Sequence, residues 1–236
     1  MKIIHYALVM LLAGVGPNAA IAQDSAAAAS AQEAAEFNLF DLGSIPARRV
    51  FVFDAAFTEQ FDIAVPAPFR VALPRDDRIN LISDGAPENG FVKFTYTYDT
   101  EDGPALIENI TIHAAEWELP EGSVDPMEAL LEGIAPLMYE QVFNQATAPH
   151  GGGEMLGWRQ AQVNGLQIID VIGRYEDAIW GPMLLRITAI PNPGGGASYF
   201  MLNNIRYGAV PIDDLSLLGQ TLGGQMIASF NYEPQE

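Results

Sequence analysis

Asn164-Gly165 lies between two apolar-rich runs, 155–163 and 166–175. A two-residue Asn-Gly loop places both central residues at positive φ, and its twist matches that of two antiparallel strands. The flanking runs are therefore expected to fold back on each other as a β-hairpin. The same grammar recurs twice. Residues 90–98 carry Phe91, Val92, Phe94, Tyr96 and Tyr98, then turn at 99–103, and 105–113 return with Leu106, Ile110 and Ile112. Residues 183–190 and 198–207 flank a Pro- and Gly-rich stretch, 191–196. Further upstream, 49–53 and 61–65 read as short strands, the second by its alternation of apolar with small or polar residues. Pro66, Pro68 and Pro74 limit strand length there.

Helical patterning interrupts these hairpins twice. Asp125 suits an N-cap, Pro126 the first helical position and Glu128 the third. Met127, Leu130, Leu131, Ile134, Leu137 and Met138 then share one helix face. Pro136 is expected to kink or divide that helix. A last helix is expected over 213–222, with acids at its start, Leu215, Leu218 and Leu222 on one face, and Gly223-Gly224 as its stop. Met226 to Phe230 would form a short closing segment. The pattern predicts an α+β fold, a mostly antiparallel β-sheet with two helices packed against it.

The N-terminus reads differently. Lys2 gives a short positive region, Ile3 to Val15 are largely apolar, and Gly16-Pro17-Asn18 break the helix. Ala20-Ile21-Ala22 fits the small-x-small site that signal peptidase cleaves, so 1–22 are expected to be a signal peptide removed after Ala22. The apolar stretch is shorter than the roughly 20 residues of a spanning helix. Residues 23–36 read as an Ala-rich flexible spacer and 37–236 as a single globular domain, long enough for its own core. There is no cysteine, hence no disulfide framework and no lipid-anchoring cysteine. The expected location is the periplasm or the medium, with no membrane span in the mature chain.

Charge narrows the partners. With Lys2 removed, 10 basic residues face 30 acidic ones. Phosphate neutralisation requires Lys and Arg patches, so nucleic-acid binding is not expected. From Phe94 to Trp158 there is no Lys or Arg, while 12 acidic residues fall in that stretch. Glu128 and Glu132 stand four apart on one helix face, a like-charge pair that costs a little stability. Such a lobe suits a cationic protein partner.

Catalytic and metal-binding patterns are absent from the sequence. The two histidines beyond the leader, His113 and His150, lie in no metal-ligand spacing, so no metal or cofactor is expected. His150 precedes three glycines, in a loop that can present it to a ligand. The triple glycines at 151–153 and 194–196 lack phosphate-loop spacing and read as turns. Residues 99–103 superficially suggest a cation loop but lack the ligand spacing of one. Glu116 and Glu118 flank Trp117 near a strand end and share a face, as paired carboxylates in acid/base chemistry do.

Four segments carry a resemblance to a known family: 61–69 (FDIAVPAPF), 162–169 (QVNGLQII), 181–187 (GPMLLRI) and 227–230 (IASF). In element order and apolar spacing the region from Val50 to Phe230 resembles the PsbP-like fold. The resemblance implies an α+β domain without a shared catalytic motif, in a family whose members mostly bind other proteins. The expectation is therefore a non-catalytic protein-interaction module, with Glu128, Glu132 and His150 as candidate binding residues. Its alternative is a periplasmic hydrolase working through carboxylates or His150.

Overall fold

Asn164 and Gly165 both adopt positive φ, 49° and 81°, as the tight turn requires. The strands on either side pair from Val163↔Leu166 out to Gly153↔Tyr175. The turn is also anchored from outside, because Asn164 Nδ2 donates to the carbonyls of Ala228 (2.9 Å) and Phe230 (3.0 Å).

The computed structural model describes residues 47–84 and 91–233. In chain order the strands are β1 (Ala47–Phe53), β2 (Phe69–Arg75), β3 (Asn80–Asp84), β4 (Val92–Thr100), β5 (Gly103–Trp117), β6 (Gly153–Val163), β7 (Leu166–Asp177), β8 (Gly181–Ile190), β9 (Gly196–Arg206) and β10 (Asn231–Tyr232). The α-helices are α1 (Ala55–Phe61), α2 (Pro126–Leu137), α3 (Phe143–Thr147) and α4 (Leu222–Ser229). Seven strands form one antiparallel sheet in the order β3-β4-β5-β9-β8-β7-β6, and β1-β2-β10 form a second. The α+β class and the mostly antiparallel sheet are as expected. The proposed signal peptide with Ala20 and Ala22, and the spacer 23–36, lie outside the described residues.

The central strands β7, β8 and β9 of the large sheet are apolar on both faces, as strands covered on two sides must be. Along β8, Leu184 and Ile190 join a core beneath β1, β2 and α4, while Leu185, Ile187 and Ala189 join a core beneath α2 and α3. The first core is rich in aromatics: Phe53 and Phe69 stack at 4.5 Å, and Phe69 packs on Tyr199 at 4.5 Å. The second buries Leu130, Leu131, Ile134 and Met138, the face expected from the periodicity.

Helix α2 starts as its sequence requires: Asp125 Oδ1 accepts from the Glu128 N–H at 3.0 Å. Pro136 precedes its end, and a π-helical turn, Met138–Val142, separates it from α3. A proline lacks the N–H that would bond back to residue 132, so the division falls where expected. Phe143, in α3, lies against Gly173 so closely that a Cβ on Gly173 would stand 2.2 Å from its ring.

Two expectations are corrected. Residues 61–65 are not a strand: Asp54 caps α1 by accepting from the Phe57 N–H at 3.0 Å, and Asp62 ends it in the left-handed region. The last helix is not 213–222 either. Residues Leu215–Gln220 form a 3-10 turn, and the α-helix is α4, which contains Gly223 and Gly224. These glycines serve close approach: a Cβ on Gly223 would meet Asn203 Nδ2 at 2.1 Å, and one on Gly224 the Leu218 carbonyl at 2.0 Å.

Candidate functional site

The helical layer over β7 carries unpaired negative charge. Glu128 and Glu132 both lie exposed on α2, with Glu140 on the following turn and Glu116, Glu118 and Glu121 on the approach to the helix, all exposed. None of the six makes an ion pair among the described residues. The start of α2 borders an open depression of about 340 Å³, lined by Leu119, Asp125, Met127, Leu166, Pro191 and Pro193 among others. Apolar walls with one carboxylate and no cation suit an apolar side chain next to positive charge. Glu116 and Glu118 flank Trp117 as the sequence suggested, but among the described residues no proton donor or nucleophile is hydrogen-bonded to either.

His150 ends a short 3-10 turn, Ala148–His150, and is half-buried. Its Nδ1 stands 3.2 Å from Asp177 Oδ2, and its ring lies 4.5 Å from that of Tyr175. No hydrogen bond joins it to a serine or threonine among the described residues, so a hydrolytic nucleophile is not assembled there. His150 closes the helical stretch whose first segment carries Glu128 and Glu132, and among the described residues no ion pair joins it to either, so the structure does not bring the three together. His113 stacks on Phe200 at 4.8 Å, a packing role.

The strongest concentration of buried charge was not anticipated. On the sheet face under α4, Glu108, Asn203, Arg186, Thr188 and Asp170 are all buried. Glu108 Oε1 accepts from the Leu222 N–H (2.9 Å), and Oε2 accepts from the Gly223 N–H (2.8 Å) and Asn203 Nδ2 (3.2 Å). The carboxylate thus caps the N-terminus of α4, where the helix dipole favours negative charge. Burial nevertheless pushes its pKa up to about 7, against the pull of those donors and of Arg186. Asp170 is bound by Arg186 through Nε (2.9 Å) and Nη2 (2.8 Å), by Thr188 Oγ1 (2.7 Å) and by Arg159 Nε (3.1 Å). Burial acts to raise its pKa, but Arg186, Thr188 and Arg159 outweigh it, and the pKa falls below the ordinary value. Glu108, Asn203, Arg186, Thr188 and Asp170 are buried while Arg159 reaches the surface, and the network ties β5, β7, β8 and β9 to the start of α4. Its trace in the sequence is a lone charge inside each of two apolar runs, Asp170 in 168–172 and Arg186 in 183–190.

A second feature missed in the sequence is the outer edge of β6. This strand ends the seven-strand order, so nothing among the described residues pairs with its outer side. Met155, Leu156 and Trp158 are 41, 42 and 48% exposed along it. Trp158 stacks on Tyr139 with ring centroids 6.4 Å apart. A bulge at Met155–Gly157 leaves Leu156 out of register.

Among the described residues no group of His, Cys, Asp or Glu is arranged to hold a metal ion, and no helix is long and apolar enough to cross a membrane.

No family model matches the sequence, and no curated protein matches it. At the level of fold the chain is similar to cyanobacterial PsbP (CyanoP) from Synechocystis sp. PCC 6803, with a TM-score of 0.44 and 11% identity over 81% of this chain and 96% of that one. It is also similar to the Ran-binding protein Mog1p of Saccharomyces cerevisiae, with a TM-score of 0.40 and 11% identity over 78% of this chain and 96% of that one. The likeness is one of fold and carries nothing about activity or partners.

Proposed function

We propose that this chain is an exported, non-catalytic protein-interaction module that captures a cationic partner on its acidic helical layer. The observation that supports this reading is the unpaired charge itself: Glu116, Glu118, Glu121, Glu128, Glu132 and Glu140 are exposed and make no ion pair among the described residues. An exposed, one-signed face focuses potential outward and speeds capture of an opposite charge. Glu128 and Glu132 repel each other along α2, a standing cost that a positive partner would relieve. Export is supported by the leader pattern of residues 1–22, and the module would then act in the periplasm or the medium.

The test is a double substitution, Glu128→Gln with Glu132→Gln, assayed against the partner that co-purifies with the processed protein from its host. The wild-type affinity should fall steeply with added salt, and the double variant should bind more weakly at low salt. An affinity indifferent to both changes would leave the acidic layer as a solubility device and end the proposal.

A further inference from the structure

Natural sheets protect their edges with short strands, lysine or proline, because an open edge recruits another strand. β6 has none of these. It spans 11 residues and holds neither Lys nor Pro. Its two charged side chains are already engaged with β7: Glu154 with Arg174 Nη2 at 2.7 Å and Arg159 with Asp170 Oδ2 at 3.1 Å. Its bulge twists the first third of the edge but leaves Trp158 to Val163 in regular register with β7. The opposite edge, β3, is only 5 residues long.

The exposed side chains beside this edge are of the kind that anchor interfaces. Trp, Tyr and Met are enriched in interface centres, and a tryptophan held in place loses little entropy on binding. Trp158 is held by its stack on Tyr139. Leu137, 44% exposed, stands two residues before Tyr139. Glu140 follows Tyr139 directly and is exposed and unpaired. Among the described residues the edge therefore combines unpaired backbone groups, apolar anchors and adjacent negative charge. A second copy is a poor occupant, since each chain carries a formal charge of −19 and would bring the same acidic layer alongside.

We propose that the outer edge of β6 takes an extended segment of a cationic partner as an added strand, with Met155, Leu156 and Trp158 receiving its apolar side chains. The backbone ladder supplies affinity, and the side chains on the face that Trp158 shares with Tyr139 meet the apolar anchors and, beyond them on the same face, the acids of the helical layer. This inference rests on the reading of a cationic partner and adds where that partner sits.

The test uses two ten-residue probe peptides, a Lys–Val peptide with Val and Lys taking turns along one face and Thr along the other, and a Glu–Val peptide with Glu in place of each Lys, with hydrogen exchange read along the chain. Binding of the Lys–Val peptide should slow exchange of amides within 153–163. Trp158→Ala should weaken that binding roughly tenfold at a temperature where the variant stays fully folded. If the Lys–Val peptide binds but protects only other segments, the edge is not the site, although the cationic reading stands. If it fails to bind, or the Glu–Val peptide binds equally well, both readings fall. Protection of β6 without peptide that grows with protein concentration, together with a dimer in sedimentation, would show a second copy on the edge and overturn the proposal.

Discussion

Glu108→Gln changes one atom type at the centre of the clamp under α4 and removes one titration. The folded protein holds the Glu108 proton until about pH 7, whereas the ordinary carboxyl releases it near 4.5. Between those values the native state binds more protons than the unfolded chain, so rising pH favours unfolding. The contribution of Glu108 to stability is complete below about pH 4.5 and lost as pH rises through about 7. At about 1.4 kcal/mol per pH unit, that window amounts to about 3 kcal/mol. Asp170, whose pKa is lowered, acts with the opposite sign and loses its contribution as pH falls. Comparing variant with wild type at each pH cancels that second effect. The assay is urea unfolding at pH 5, 6, 7 and 8, followed by tryptophan fluorescence. At pH 5 the neutral carboxyl and the amide should be similarly tolerated. By pH 8 the wild type should have lost about 3 kcal/mol relative to the variant. A constant difference, or a wild type that gains on the variant with pH, would mean that the Leu222 and Gly223 amides and Arg186 outweigh desolvation. The reasoning about the clamp would then be wrong.

Leu131→Ala empties a fully buried position under α2 and should lower stability by about 2–5 kcal/mol in chemical denaturation. An unchanged midpoint would mean that α2 is not docked on the sheet. Gly173→Ala should destabilise by about 1–3 kcal/mol or more, since its Cβ would meet the Phe143 ring at 2.2 Å. Adding Phe143→Leu should return part of that loss, and a strictly additive double variant would deny the contact. Mass analysis of the exported protein should find an N-terminus at Gln23, and an intact Met1 would remove the case for a cleaved leader.

Elements signalled by local chemistry were legible in the sequence. The Asn164-Gly165 turn, the Asp125-Pro126 helix start and the alternation of 91–98 each fix backbone geometry within a few residues. Elements set by distant contacts were not. Gly223-Gly224 reads locally as a helix stop, yet its smallness admits Asn203 and the Leu218 carbonyl to the backbone of α4. Phe61 to Val65 alternates like a strand, but the Asp54 cap and the Phe57–Phe61 ring contact at 4.7 Å favour a helical turn ending at Phe61. β3 escaped notice because 80–84 hold only two large apolar residues, and those are adjacent. Of the candidate site, the acidic pair on α2 was visible from spacing alone. The edge of β6 was not, because the sequence gives no strand order: Trp158 on a central strand would be core, whereas on the last strand it is a surface anchor.

Both proposals meet in one arrangement, a cationic partner docked across the acidic helical layer and the β6 edge. Site-specific photocrosslinking tests it directly, with a benzophenone side chain introduced in turn at Glu132, at Trp158 and at Ile82, which is 50% exposed on the opposite edge of the same sheet. One partner should be captured from positions 132 and 158, with capture lost in high salt, and none from position 82. Capture from position 82 alone, or capture at all three positions that persists in high salt, would contradict it.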